Sequence, residues 1–392
     1  MPSTKRFFSN KKEWSKIKDN LLENYLKLYF QKIFTTDRQV NYIDCFAGKG
    51  KFDDGKIGSP LIAIKIAEEA IKKSRNKFVK ISYIFIEKEY AKFLSSNLIS
   101  LNNLDITVYD GSYLEKIDDI IKNCLGQNVF LYVDPCGIKY LDFEKFSIIK
   151  NLTFNSVEML LNLNTFGFLR EACRLLSQKD IFYDFGELEE REIEEKTKLK
   201  NDIPNMNKIA NGDYWQKIIL DSKINAITAE ELFVEKYCEK LKEIFKYVIS
   251  IPIKVKVKNM PKYRMIFCTN NTHGYIEMAT NMYKRWKEMQ ENERNGQLDF
   301  FGYEVDFKGE IIESDIRKAI FNLLSKQFTK YDIFLCKFID KNGIMNLTKV
   351  NSIIKEMEKN GELEVKRNPP LTDKEKPAKW IDYKRNMEVR LI

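Results

Sequence analysis

Any chemistry in this chain has to come from carboxylates and glycine turns. Asp44-Cys45-Phe46-Ala47-Gly48-Lys49-Gly50 sets a carboxylate before a turn with glycines two apart. Glycine lets the backbone approach a ligand closely, so Phe46, Gly48 and Gly50 can wall a site in which Asp44 meets a cationic or amino-bearing group. Glu87 and Asp110 close two later apolar runs. An acidic residue in Glu87's position accepts hydrogen bonds from ribose hydroxyls, and Asp110 is placed for an adenine amino group. Neither G-x-G-x-x-G nor G-x-x-x-x-G-K-[ST] occurs, which disfavours dinucleotides and nucleoside triphosphates. Asp134-Pro135-Cys136-Gly137 closes a fourth run. The Asp134 carboxylate and the Pro135 carbonyl can accept hydrogen bonds from an exocyclic amine and align its lone pair with a methylsulfonium, so S-adenosylmethionine is the expected cofactor. The alternative is an Asp-Pro turn that merely ends a strand.

Around these residues, Cys136 and Gly137 would shape the acceptor pocket, while Tyr140, Phe166 and Phe168 are candidates for stacking on a flipped base. With aromatic residues at 13% of the chain, core packing competes for each of them. Arg170 faces a phosphate or carboxylate, or forms a helix-surface ion pair with Glu171 or its neighbours. The single histidine, His273, leaves no zinc motif of paired histidines and disfavours a Ser/His/Asp hydrolase. Seven cysteines without a Cys-x-x-Cys pair suggest reduced thiols and no metal cluster. No apolar run is long enough for a membrane helix, and the basic start lacks the core of a signal peptide, so a cytoplasmic protein is expected. A net charge of +9 gains meaning where it clusters, at Lys5 to Lys18, Lys72 to Lys80 and Lys254 to Arg264. Such clusters are more often solvated surface than binding sites, but the three together favour a polyanionic partner, nucleic acid, over an acidic or neutral one.

The elements that must position these residues are legible as periodicity. A first amphipathic helix spans residues 11–33. Short apolar strands end at Asp44, Glu87, Asp110, Asp134 and Asn164, separated by helical patterns. Five such strands argue for an α/β fold with a parallel, Rossmann-like sheet, whose carboxyl ends bind ligands. Ser59 before Pro60 reads as the N-cap of the second helix. A helical insertion follows over 166–247, with an acidic run near 187–195. A hairpin, Ile251–Lys258 with Met265–Cys268, and a helix at 274–294 complete the core over 248–300. Residues 310–392 read as three helices and two strands, Leu363–Arg367 and Lys379–Tyr383, a winged-helix-like module or a packing cap. In the first case Lys366, Arg367, Lys379 and Lys384 would touch phosphates.

These residues resemble the three-Cys-motif partner proteins (TcmP), a bacterial and phage-associated family with a class I methyltransferase-like fold. The likeness rests on Trp14, Lys18, Leu22 and Tyr25, on Asp44 to Gly50, and on Asp54-Gly55 with Gly58-Ser59-Pro60-Leu61. It continues through Val133 to Gly137, Leu160-Leu161-Asn162 and Arg170, with weaker echoes at Gly212 with Trp215 and at Tyr263 to Met278. It covers about residues 10–290. The resemblance implies a three-Cys-motif radical-type protein as partner. The family usually has Asp-Pro-Phe-Gly where this chain has Cys136, so an aromatic platform is missing. Asp-Pro-x-Gly is also similar to the motif of tRNA guanine N2-methyltransferases and, more distantly, to the Asp-Pro-Pro-Tyr of adenine methyltransferases, which act on exocyclic amines. Methyl transfer to a nucleic-acid base is the expectation; an inert methyltransferase-like scaffold in phage defence or mobile-element biology is the alternative.

Overall fold

The structure is a computed structural model that describes residues 13–76, 78–178, 202–253, 261–294, 313–371 and 374–392. The chain divides between Asn270 and Asn271 into two compact units.

The first unit is built on a seven-stranded sheet. Its strands are β1 (Val40–Asp44), β2 (Ile81–Glu87), β3 (Ile106–Asp110), β4 (Asn128–Val133), β5 (Ser156–Leu163), β6 (Tyr247–Ile253) and β7 (Tyr263–Thr269), in the order β3-β2-β1-β4-β5-β7-β6. Pairing is parallel from β3 through β5, and β7 runs antiparallel between β5 and β6. β1 and β4 are buried along their whole length, as strands covered on both faces must be, which is why they read as unbroken apolar runs. The order reverses at β1 and β4, the place where an open α/β sheet leaves a crevice beyond its strand ends.

Register decides which side chains share a face. Asp44 lies beside Tyr132 and Tyr132 beside Leu160, so the next same-face positions, Asp134 and Asn162, follow at the ends of β4 and β5. The opposite face, Ile43, Cys45, Leu131, Val133 and Leu161, packs into the larger core. On the Asp134 face lies the first helix, α1 (Glu13–Ile33). Tyr25 on α1 donates its hydroxyl hydrogen to Glu158 Oε2 at 2.6 Å, and Thr269 donates to the other oxygen at 3.3 Å. Full burial pushes the Glu158 carboxyl up to about 7 despite those donors.

The helices α2 (Ser59–Lys73), α3 (Ala91–Leu98) and α4 (Tyr113–Lys122) connect the parallel strands, and a short α5 (Glu144–Ser147) precedes β5. Among the described residues, the insertion after β5 forms α6 (Thr165–Leu175), α7 (Ile203–Ala210), α8 (Tyr214–Leu220) and α9 (Ala226–Lys242); the expected acidic run lies outside the described residues. Phe168 stacks on Phe233 at 4.2 Å and meets Trp215 edge-on at 5.9 Å. Arg264 on β7 reaches the fully buried Glu230 on α9 through both Nε and Nη2, tying the insertion to the sheet. The strand expected at Ile251–Lys258 begins earlier, at Tyr247, because its register with β7 runs from Tyr247 opposite Thr269 to Ile253 opposite Tyr263; positions 254–258 lie outside the described residues.

The second unit starts with α10 (Thr272–Arg294). The expected grouping of 248–300 is therefore divided: its strands belong to the sheet, while α10 is anchored to later residues. Thr272 donates to Asp332, Tyr275 to Asp340, and Glu277 accepts from Tyr383. Then come α11 (Glu313–Leu323), β8 (Thr329–Lys330), α12 (Tyr331–Asn342), α13 (Leu347–Lys359), β9 (Leu363–Asn368) and β10 (Asn386–Leu391), with sheet order β8-β10-β9. The last strand lies at 386–391 rather than at the expected 379–383. There Met387 and Val389 are buried and every residue finds a partner on β9.

Candidate functional site

The turn after β1 is held by its own carboxylates. Asp44 is fully buried; Oδ1 accepts the Phe46 N–H at 3.2 Å and Oδ2 accepts the Ser59 hydroxyl at 2.6 Å. Burial pushes its carboxyl up to about 7 against those two donors. Asp44 thus organises the turn and anchors the start of α2 rather than presenting an open face to a ligand. Ser59 is not the expected N-cap: Gly58 occupies that position, and the Ser59 hydroxyl is committed to Asp44. Gly50 adopts φ +72°, which favours glycine in the turn, and a Cβ there would come within 2.8 Å of Leu94 Cδ1 on α3, a side-chain end that would have to shift. Phe46 is half-buried against Tyr113, with ring centroids 5.2 Å apart.

Glu87, at the end of β2, accepts three backbone amides: Gly48 N–H on Oε2 at 2.7 Å, and Glu89 and Tyr90 N–H on Oε1 at 2.7 and 3.1 Å. A carboxylate offers about four acceptor positions, so one stays open. Asp110 closes β3 with an exposed side chain. Register brings the two together, since Asp110 pairs directly with Glu87.

At the end of β4, Asp134 meets a residue that the sequence reading did not place in the site. Lys18 Nζ lies 2.7 Å from Asp134 Oδ1 and 2.6 Å from Oδ2, with only 9% of the lysine side chain exposed. Asn162 Nδ2 donates to Oδ1 at 2.7 Å and Tyr132 OH to Oδ2 at 3.3 Å. The Tyr263 ring centroid lies 5.2 Å from the lysine nitrogen. The readable signal was Lys18 itself: Trp14, Lys18, Leu22 and Tyr25 follow a spacing of four, four and three, so this lysine interrupts the apolar stripe of a helix. The Pro135 carbonyl accepts from Gly137 N–H at 2.9 Å, leaving one of its two lone pairs.

The remaining candidates separate. Cys136 is exposed, Gly137 stands at φ +97°, and Tyr140 is half-buried beside Lys139. Phe166 is partly buried at the edge of the large core. Phe168 is fully buried, so its stacking on a base is overturned by its packing on Phe233. Glu171 receives Arg174 through two bonds of 2.8 Å; burial lowers the Arg170 pKa, and the nearby Glu171 charge opposes that shift. In the second unit, Arg367 is 8% exposed and donates to Glu358 and to the Trp380 carbonyl, Lys366 pairs with Glu388, and Lys384 with Glu277. Three of the four expected phosphate contacts are thereby engaged inside the unit; Lys379 is exposed. Of the basic clusters, residues 1–12, 77 and 254–260 lie outside the described residues, while Lys18 and Arg264 both face carboxylates. No helix among the described residues is long and apolar enough to cross a membrane.

No family model matches the sequence, and no curated protein does. Solved structures do. A precorrin-6y C5,15-methyltransferase from Geobacter metallireducens is 12% identical, with 62% of this chain and 86% of that one covered at a TM-score of 0.27. A Legionella pneumophila protein is 10% identical over 74% and 96%, at 0.35. The Thermotoga maritima spermidine synthase is 8% identical over 62% and 60%, at 0.27. At such scores the fold rests on the chain's own sheet, whose order and single antiparallel strand are those of a Rossmann-like methyltransferase core.

Proposed function

We propose that this chain is an S-adenosylmethionine-dependent methyltransferase, related to the three-Cys-motif partner proteins, that acts on an exocyclic amine of a nucleic-acid base. The observation that carries the reading is the arrival at one sheet edge of the Asp44 turn, Glu87, Asp110, Asp134 and Asn162, on adjacent parallel strands on both sides of the order reversal. The residues suit the cofactor: Glu87 retains an acceptor position for a ribose hydroxyl, Asp110 is exposed for an adenine amine, and Gly48 and Gly50 keep the wall free of side chains. When bound, the sulfonium would supply an activated methyl group. The chain's part is orientation. Asp134 and the free lone pair of Pro135 would accept N–H groups of the acceptor, with Cys136, Gly137, Tyr140 and Phe166 around it and Arg170 facing an anionic group.

From α11 onward the second unit has the order helix, short strand, two helices, two strands, with β10 between β8 and β9. This supports a winged-helix-like module, in which Lys379 would be the remaining phosphate contact. The resemblance also proposes a three-Cys-motif protein as partner. A second reading, an inert scaffold binding nucleic acid or a protein, is favoured by one observation: Lys18 already occupies both oxygens of Asp134.

Calorimetry with S-adenosylmethionine and tritiated methyl transfer to cellular RNA and DNA separate the readings. Asp110→Ala should weaken cofactor binding by about 1 kcal/mol, the usual value of one hydrogen bond. Cofactor binding by the wild type without labelling of RNA or DNA selects the scaffold.

A further inference from the structure

The group at the end of β4 has the composition of a ligand site whose occupant belongs to the chain itself. Asp134 offers about four acceptor positions. Lys18 takes one on each oxygen, and Asn162 and Tyr132 take the others. The Tyr263 ring lies within cation–π range of the ammonium. A bidentate carboxylate, held in place by an amide and a phenol that donate to it, with an aromatic face beside it, describes a cradle for a primary ammonium.

Two details separate this cradle from an ordinary buried ion pair. Asn162 is fully buried, and because its Nδ2 faces Asp134 its Oδ1 points elsewhere and has no hydrogen-bond partner; the buried Thr165 hydroxyl, three residues on, has none either. Unmatched buried acceptors are tolerated where a ligand or water completes them. Asp134 also keeps 21% of its side-chain surface exposed against 9% for Lys18, so the carboxylate is reachable from a side that the lysine does not cover.

We propose that Asp134, Asn162, Tyr132 and Tyr263 form a primary-ammonium subsite, that Lys18 is its tethered occupant, and that an amine-bearing ligand reaches Asp134 only by displacing Lys18. This deepens the methyl-transfer reading by naming what stands between Asp134 and an acceptor. The subsite itself needs no methyl donor. Tethering gives Lys18 an effective concentration on the order of millimolar or more, so a free amine competes poorly with it. Lysine suits the role, being a compact charge on a flexible stem that can withdraw.

The test uses the full chain without methyl donor, so its failure and that of the methyl-transfer reading are read separately. Thermal unfolding of wild type and Lys18→Ala is followed in n-butylammonium chloride, with sodium chloride and tetramethylammonium chloride at matched ionic strength. The variant's Tm should rise by about 2–3 °C when butylammonium reaches about ten times its Kd. Wild type should not respond, nor should the variant to tetramethylammonium, which has no N–H to donate. Adding Asp134→Asn to the variant should abolish the rise. Equal shifts in wild type and variant, or an equal response to tetramethylammonium, would overturn the subsite. If Lys18→Ala does not fold alone, its refolding yield with and without butylammonium reads the same site, and no gain in yield overturns it.

Discussion

The carboxylates at the ends of β1 and β4 share one face of the sheet on adjacent strands, two residues apart in register, yet their surroundings assign them opposite work. Asp44 is sealed from solvent and faces an amide and a hydroxyl, so burial raises its pKa and its oxygens hold the chain in place. Asp134 keeps an exposed edge and faces an ammonium. Strand-end position makes a carboxylate a candidate for binding; burial and the charge of its nearest partner decide whether it builds the site or serves it.

The comparison breaks most visibly at Asp134. Asp134→Ala strands the Lys18 ammonium with little solvent, which costs about 2–4 kcal/mol of stability, readable as a lower urea midpoint. In an active enzyme the same change should lower methyl transfer by about 10² to 10³ and leave cofactor affinity nearly intact.

At Asp44 the effect lies in pH. Its folded-state value, and that of Glu158, stand near 7, above the ordinary 3.8 and 4.5. Between about pH 4 and 7 the folded chain therefore holds more protons than the unfolded one, and stability falls as pH rises through that window, levelling above it. Asp44's share amounts to as much as about 4 kcal/mol. Asp44→Asn should remove that share of the slope and keep the part due to Glu158; an unchanged slope in denaturant titrations from pH 4.5 to 8 would detach the effect from Asp44.

The smallest change is Gly50→Ala. It imposes a strained φ and a contact with Leu94, at a cost of about 1–2 kcal/mol. Cofactor affinity should fall alongside stability, because the wall of the turn moves; calorimetry checks both.

The sheet was legible where the strands are covered on both faces, since β1, β4 and β5 are therefore mostly apolar runs. It was less legible at β6 and β10. Tyr247-Val248-Ile249 continues a helical-looking stretch, and β10 is fixed by its register on β9, which no local pattern carries. In the site, the glycine turn and the acids at strand ends were readable because each is a local signal. Lys18 and Asp134 lie 116 residues apart, so their contact is a property of the fold. Ser59 showed the opposite failure: its local signal for a helix cap was sound in type, but Asp44 claims the hydroxyl from across the turn. Arg367 resembled a free cation beside Lys366, and only the return of the chain at Trp380 reveals it as an internal brace.

The antiparallel strand also sets an order of assembly. β7 lies between β5 and β6, although both precede it in the chain. During synthesis, until residues 263–269 emerge, the outer edge of β5 and both edges of β6 stand unpaired, and the buried Glu230 lacks Arg264. A ribosome that stalls in this interval holds a chain with open, apolar strand edges, the kind of surface on which nascent polypeptides aggregate or recruit chaperones.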